Sequence, residues 1–431
     1  MKKKIIALSR NSFFQGGIFL TASGFIASFF NYVFNILVAQ ALGPNSYGEI
    51  SALFSYLLVT SVPLNVVATI ITQKISSHDE KSFIFAQALE KWFLSKLKRV
   101  MAFSVFLIVI IPFLPRLTNL SLISSVALVL LFITSVIGIF YSSALQALHL
   151  FLASSIISVA ATLIKLFGGT LAWLKLGNFN IVILFLIISQ IVSFFAGLVI
   201  YKKNVNLVNL RSKPTFLPLI RKRLFQVFKS EQLIITAFSI LAVTLLSNAD
   251  IIIVKKFSSA FTAGIYSSWS LFAKIILYIV NPLVSLSLIF FSSKKNLHQQ
   301  NNVLIISLIL LVLTGIIGFF AYLFFPQLIT HVIFGSRFNA VIPYITKAAI
   351  FGTFYTAIML LNNYFLAKKS RAALILPLFI PFYLAGLFLV KSSIQNVMML
   401  NIYFSVSIAL IFLLAFLYNI NQWKQKSRPT S

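Results

Sequence analysis

The chain has 431 residues, 60% of them apolar and 10% charged, with a mean hydropathy of +1.00. Soluble domains run nearer a quarter charged, which excludes a soluble globular protein. The net charge of +29 would suggest nucleic acid in a soluble chain, but the basic residues sit in short loops and at helix ends, so no nucleic-acid partner is expected.

Apolar runs of 20 or more residues recur along the length, each long enough to cross a bilayer as a helix. They predict an all-α polytopic membrane protein of about twelve transmembrane helices. In chain order the spans are about 13–39, 48–72, 100–117, 120–145, 150–174, 180–201, 233–254, 262–290, 303–325, 344–367, 372–390 and 396–420. The apolar run after MKKKIIALSRN is too long for a signal-peptide core, so no cleavable signal is expected.

Between the first two spans lies QALGPNSYG (40–48), where Gly43, Pro44, Asn45 and Gly48 are turn formers and neither Lys nor Arg occurs. The connections alternate in charge. With Lys2, Lys3, Lys4 and Arg10 taken as cytoplasmic, the inner segments hold 26 Lys and Arg. The outer ones hold seven: Arg116, Lys175, Lys255, Lys256, Arg337, Lys347 and Lys391. That asymmetry predicts a multi-pass protein of the cytoplasmic (inner) membrane with both termini cytoplasmic. QALGPNSYG, with Tyr47 in it, becomes a turn at the outer gate.

Two inner segments, 81–99 and 216–229, are amphipathic and are expected to lie on anionic lipid. The second falls in a basic linker, 202–232. This divides the chain into a six-helix lobe over 1–201, a second over 233–420, and a basic tail over 421–431. VAQALGPNSYG (38–48) and VKKFSSAFTAG (254–264) stand 216 positions apart at the outer end of each lobe's first span. They suggest parallel repeats about an axis along the membrane normal, with a central cavity.

Polar residues fall on single helix faces. The first span reads Gly17, Thr21, Gly24, Ser28, Asn31, Asn35 at steps of four and three. The fifth reads Ser155, Ser158, Thr162, Lys165, Gly169, Trp173, and the eighth Ser267, Ser270, Lys274, Tyr278, Asn281, Ser285. Helix packing accounts for the small and hydroxyl residues. It does not account for the two lysines, since a mid-helix charge costs about 2.5–3.5 kcal/mol on insertion scales and is usually turned to a cavity or a partner. Lys165 lies roughly 13 Å and Lys274 roughly 18 Å from the outer ends of their spans at 1.5 Å per residue. A Lys reaches only about 6 Å by snorkelling. Asp250, near the outer end of the seventh span, is the one acid inside the membrane: a salt-bridge partner for Lys255, Lys256 or Lys274, or an ion-coupling group. Glu49 is expected to be solvated at the outer mouth, and the amides Gln15, Gln146, Gln190, Asn248, Asn362 and Asn363 to bond between helices.

No Cys occurs, which excludes disulfides and iron–sulfur clusters, and the four His are scattered without zinc-type spacing. Neither a metal nor a cofactor is expected, with a proton or sodium gradient as the candidate energy source.

RNSFFQGG (10–17), VAQALGPNSYGEISA (38–52), NADIIIVKKFSSAFTAGIYSSWSLFAKI (248–275) and VIFGSRFNAVIPYI (332–345) together resemble the polysaccharide flippases of the multidrug/oligosaccharidyl-lipid/polysaccharide exporter superfamily. The matching positions are Leu42, Gly43, Pro44, Tyr47 and Gly48, then Asp250, Gly264, Ile265 and Tyr266. Gln40 departs, where a basic residue is usual. The resemblance implies alternating-access movement of a polyprenyl-pyrophosphate-linked oligosaccharide for polysaccharide biosynthesis, with a polysaccharide polymerase and other assembly proteins as candidate partners. Lys165 and Lys274 would attract the pyrophosphate, while Asn31, Asn35, Tyr278, Asn281 and Trp173 would contact sugar. The alternatives are a multidrug or other small-molecule exporter of the same superfamily, and a membrane-embedded polymerase or ligase. The last is disfavoured because no outer loop offers an acidic pair, so an enzyme is not expected.

Overall fold

The computed structural model describes residues 12–76, 82–207, 231–292 and 297–426. The segment 216–229, with its expected amphipathic helix, lies outside the described residues. The chain separates into two compact units, Met1–Leu233 and Ile234–Ser431, called here lobe 1 and lobe 2. Every long element is a helix. Among the described residues ten stretches are long and apolar enough to span a membrane, and one of them folds on itself. Large apolar side chains such as Ile156, Phe167, Leu184, Ile317 and Phe382 remain about half exposed or more along these helices. Lipid covers such a surface, and the chain is a multi-pass membrane protein.

Lobe 1 opens with α1 (Ser12–Thr60), whose backbone leaves the helical region at Gly43, with φ 75° and ψ −178°. The arms on either side fold back on each other: Phe34 and Phe54 have ring centroids 6.2 Å apart, where a straight helix would hold them about 30 Å apart. Only glycine adopts such a φ cheaply, and Pro44 beside it lacks the N–H to continue the helix. The expected reversal is thus made with almost no loop. A second break follows at Ser61, because Pro63 supplies no N–H for Val59, and α2 (Val62–Ser76) continues the arm.

Residues 81–99 were expected to lie flat, apart from the next span. Instead α3 (Ser82–Ile110) is one helix through both. It contains neither Gly nor Pro, so nothing interrupts it until Pro112. A 3₁₀ turn (Ile111–Phe113) and α4 (Leu114–Thr118) follow, ended by Asn119 in the left-handed conformation. Then come α5 (Leu122–Ala147), α6 (Phe151–Trp173) and α7 (Phe179–Leu207). Glu49 is not simply solvated: its Oε1 accepts the Ser121 N–H at 2.8 Å, tying the Gly43 reversal to the start of α5. At the opposite end, Phe93, Phe140, Tyr141 and Tyr201 pack ring on ring. Within this cluster buried Glu90 accepts from the Tyr141 hydroxyl at 3.2 Å and pairs with Lys202 at 2.8 Å.

Lobe 2 contains α8 (Glu231–Phe257), α9 (Ala260–Ser292), α10 (Leu297–Phe324), α11 (Pro326–Phe334), α12 (Ile345–Ala367), α13 (Ile375–Val390) and α14 (Ile394–Lys426). Its first turn falls at Ser258–Ser259, the positions 216 beyond Leu42 and Gly43. The expected outer loop over 326–343 is α11 plus a 3₁₀ helix (Ser336–Tyr344). Phe334 and Phe338 are fully buried there, Phe334 with its ring 4.9 Å from Phe272, so hydrophobic burial orders the segment. At the centre, Trp269 stacks on Phe351 and donates its indole N–H to the Tyr344 carbonyl at 3.0 Å. A Cβ on Gly352 would stand 2.1 Å from the Ala273 carbonyl oxygen, so α9 and α12 touch backbone to backbone.

Candidate functional site

The polar face of α6 meets that of α1 inside lobe 1. Ser23 and Ser155 join by their hydroxyls at 2.9 Å. Over the next three turns of α6, Ser158, Thr162 and Lys165 border a cavity of about 480 Å³, together with Asn31 of α1 and Gln190 of α7. The Lys165 ammonium donates to Asn31 Oδ1 and lies 5.0 Å and 5.2 Å from the ring centroids of Phe34 and Phe54. Both rings offer it their negative faces. The Asn31 amide is itself oriented, because its NH₂ donates to the Ala27 carbonyl at 2.8 Å. Its oxygen is thereby left for the lysine. Gln190 donates to Ser135 at 3.1 Å across to α5. Among the described lining residues there is no Asp or Glu, so the chamber is positive and rich in hydroxyl and amide groups.

The other expected residues of lobe 1 stand elsewhere. Asn35 donates to the Asn31 carbonyl on its own helix at 2.7 Å. Trp173, at the Gly43 end, donates to Gln40 at 3.0 Å. Neither borders the cavity. Gln40, noted as a departure from the family pattern, is thus the acceptor for that indole. Gly43, Pro44, Tyr47 and Gly48 are all buried at the reversal, Tyr47 at 1% exposure.

Lobe 2 builds a second polar cluster. Asp250 of α8 accepts three protein donors: the Tyr266 hydroxyl at 2.5 Å, the Asn401 amide at 3.0 Å and the Ile251 N–H at 2.8 Å. The same Asn401 NH₂ lies 2.6 Å from the Tyr266 oxygen, and its carbonyl accepts from Tyr383 at 2.7 Å. Four helices (α8, α9, α13 and α14) therefore converge on one buried carboxylate. Lys274 acts on Asp250 electrostatically, while its ammonium donates to the Ser247 carbonyl of α8 at 3.1 Å. Its face of α9 turns into lobe 2, where Ser267 and Ser270 are buried with hydroxyls that find no partner among the described residues. Tyr278 is half-buried on that face. The side chain of Asn281 lies outside the described residues.

Sequence reading missed Phe34, Phe54, Tyr383 and Asn401. The first two look like ordinary apolar spacing; Tyr383 meets Asn401 of the next helix, and Asn401 meets partners more than a hundred positions away. No periodicity within one helix reports such contacts.

No family model and no curated protein matches the sequence. Solved structures do match. A multidrug resistance MATE family transporter of the MOP superfamily in an inward-facing conformation is 12% identical, with 93% of this chain and 96% of that one covered at a TM-score of 0.69. A MATE structure in a bent conformation is 12% identical, covering 98% of each chain at 0.62. A MOP superfamily transporter from Pyrococcus furiosus, described as having a binding pocket of reverse polarity that suggests a different function, is 14% identical. There 95% of this chain and 96% of that one are covered, at 0.59. Two helical lobes with long apolar helices, matched over nearly the whole of each chain, give this protein the fold of the MATE and MOP transporters.

Proposed function

We propose that the chain is an alternating-access exporter of amphiphilic molecules, with the lobe 1 chamber holding the polar end of its cargo. The observation that carries the reading is Lys165: a half-buried ammonium, oriented by Asn31 and two aromatic rings, in a cavity whose described lining has no carboxylate. A cation of this kind attracts anions and repels other cations. The apolar part of the cargo can stay in lipid while only its head needs the chamber.

The likeness to multidrug transporters favours a small-molecule cargo over the lipid-linked oligosaccharide that the sequence resemblance implies. The chamber's polarity selects, within that reading, anionic or neutral amphiphiles over cationic drugs. The oligosaccharide reading stays as the second. It is supported by Gln190, Ser158 and Thr162 around the lysine, groups that suit a phosphorylated sugar. Asp250 is proposed to couple transport to an ion gradient, being the carboxylate at the crossing of four helices.

Proteoliposomes separate these readings. Export of an anionic dye that is lost in Lys165→Gln supports the main one. Preference for a cationic dye over an anionic one overturns the polarity argument. Appearance of lipid-linked oligosaccharide on the far leaflet, with no dye moved, transfers the assignment to the second reading.

A further inference from the structure

The Lys165 chamber has a branch that the proposed function leaves unused. A second cavity of about 400 Å³ lies between the last turns of α2 and α5 and shares Ile139, Ser142 and Gln146 with the chamber. Each helix divides its faces to make it. On α2, Ile70, Ile71 and Ile75 join the aromatic core, while Thr69, Thr72 and Gln73 line the branch. On α5, Phe140, Tyr141, Ala144 and Leu145 go to the core and Ser142, Ser143 and Gln146 to the branch. The helical period sorts the two sets.

The lining has a definite hydrogen-bonding character. The Thr69 hydroxyl donates to the Asn65 carbonyl at 2.9 Å and the Ser142 hydroxyl to Ile139 at 3.1 Å. Each has spent its proton on its own helix and offers lone pairs outward. Donors come from two amides and from the Ser143 hydroxyl, while the Thr72 hydroxyl points to the Ser143 carbonyl at 3.5 Å. Gln146 reaches the Ser154 hydroxyl only at 3.5 Å, and the Gln73 side chain makes no hydrogen bond within the described residues. Among the described residues that line the branch there is no charged side chain and no aromatic ring. An ionised phosphate is acceptor-only and finds mostly acceptors here, whereas a hydroxyl or amide group can both give and take.

We propose that this branch is a second subsite, for an uncharged hydroxyl- or amide-bearing group attached to the anionic group held at Lys165. The inference rests on the reading of Lys165 as the anion's anchor. It deepens that reading into a two-part selectivity: charge read by α1 and α6, neutral hydrogen bonding read by α2 and α5.

The chain has no Cys, so one introduced thiol is unique in the full-length protein. Ser142→Cys places it where the two cavities meet, and Ser158→Cys places it in the Lys165 chamber. Alkylation by N-ethylmaleimide is followed in lipid nanodiscs with inorganic phosphate, glucose or glucose 1-phosphate at equal millimolar concentration. Glucose 1-phosphate is expected to slow reaction at Ser142→Cys about tenfold, a difference of about 1.4 kcal/mol in binding. Phosphate alone should protect only Ser158→Cys. Adding Thr69→Val and Gln73→Leu should restore the unprotected rate at Ser142→Cys and leave phosphate protection at Ser158→Cys intact. Protection of Ser158→Cys with none at Ser142→Cys overturns the branch and spares the Lys165 reading. Equal protection of Ser142→Cys by phosphate and by the sugar phosphate also overturns it. Protection at neither position overturns the Lys165 reading itself.

Discussion

The Asn401 amide donates to the Asp250 carboxylate at 3.0 Å, across 151 positions of sequence, and so joins the last helix of lobe 2 to its first. Asn401 also receives the Tyr383 hydroxyl, so one side chain completes two buried groups. Asn401→Leu leaves both short of a partner, at about 1–3 kcal/mol for each unsatisfied buried group. Thermal unfolding of the detergent-solubilised protein should show a clearly lowered midpoint. An unchanged midpoint would mean that Tyr266 and the Ile251 N–H suffice for the carboxylate.

Asp250→Asn tests coupling separately from stability. The variant is expected to pass cargo down its concentration gradient and to fail to accumulate it against one. Accumulation at the wild-type level, measured in proteoliposomes with an imposed proton or sodium gradient, would reduce Asp250 to a structural role.

Lys165 is expected to set affinity for the anionic end of the cargo. Lys165→Gln should reduce kcat/KM for an anionic amphiphile by about tenfold or more, the effect of losing a charge-assisted contact worth about 1.5–3 kcal/mol. Asn31→Leu should act in the same direction more weakly, since it removes the lysine's acceptor and leaves the charge. Equal transport by all three proteins would take the chamber out of the cargo's path.

Gly43→Ala forces a β-carbon into a positive-φ, extended-ψ backbone that is essentially glycine's alone, at about 1–3 kcal/mol. The reversal is buried and anchored through Glu49 to Ser121, so relaxation is restricted. The expected outcome is a lower unfolding midpoint for Gly43→Ala, and a second loss for Glu49→Ala measured the same way.

The Glu90 pair offers a signed contrast. Lys202→Ala removes the cation from a carboxylate that is itself buried, whereas Glu90→Gln removes the charge and keeps an acceptor for Tyr141. Lys202 is 48% exposed, so water screens part of the loss, and about 1 kcal/mol is expected for Lys202→Ala. Glu90→Gln should cost less. The reverse order in thermal unfolding would show that the charge on Glu90 stabilises lobe 1 without its partner.

Much of this was legible in one dimension. That the chain is built from long apolar helices follows from its apolar runs, and the reversal at Gly43 follows from turn chemistry, because both are local properties of the chain. The polar face of α6 was readable from its spacing, and in the structure Lys165 on that face borders the cavity within lobe 1. Its neighbours were not readable in the same way. Asn35 and Asn31 are one turn apart on the same face and both donate back to their own helix, yet only the Asn31 oxygen receives the lysine. That choice depends on where α6 lies. The continuity of α3 was missed because its amphipathic half suggested a surface helix, while helix propagation simply ran on in the absence of a breaker.

The contact at Gly352 has a mechanical consequence. Two helices that meet where only hydrogen fits cannot slip along one another. A shift of one helical turn would bring Ala348 or Thr356 against the Ala273 carbonyl, and a single-residue shift would bring Phe351 or Thr353. Each of these carries a Cβ into space that has none to spare. Sliding is therefore barred at this seam, with the Trp269–Tyr344 bond pinning it a second time. α9 and α12 are held in register at this seam, and any bending of lobe 2 must be found at other joints of the chain.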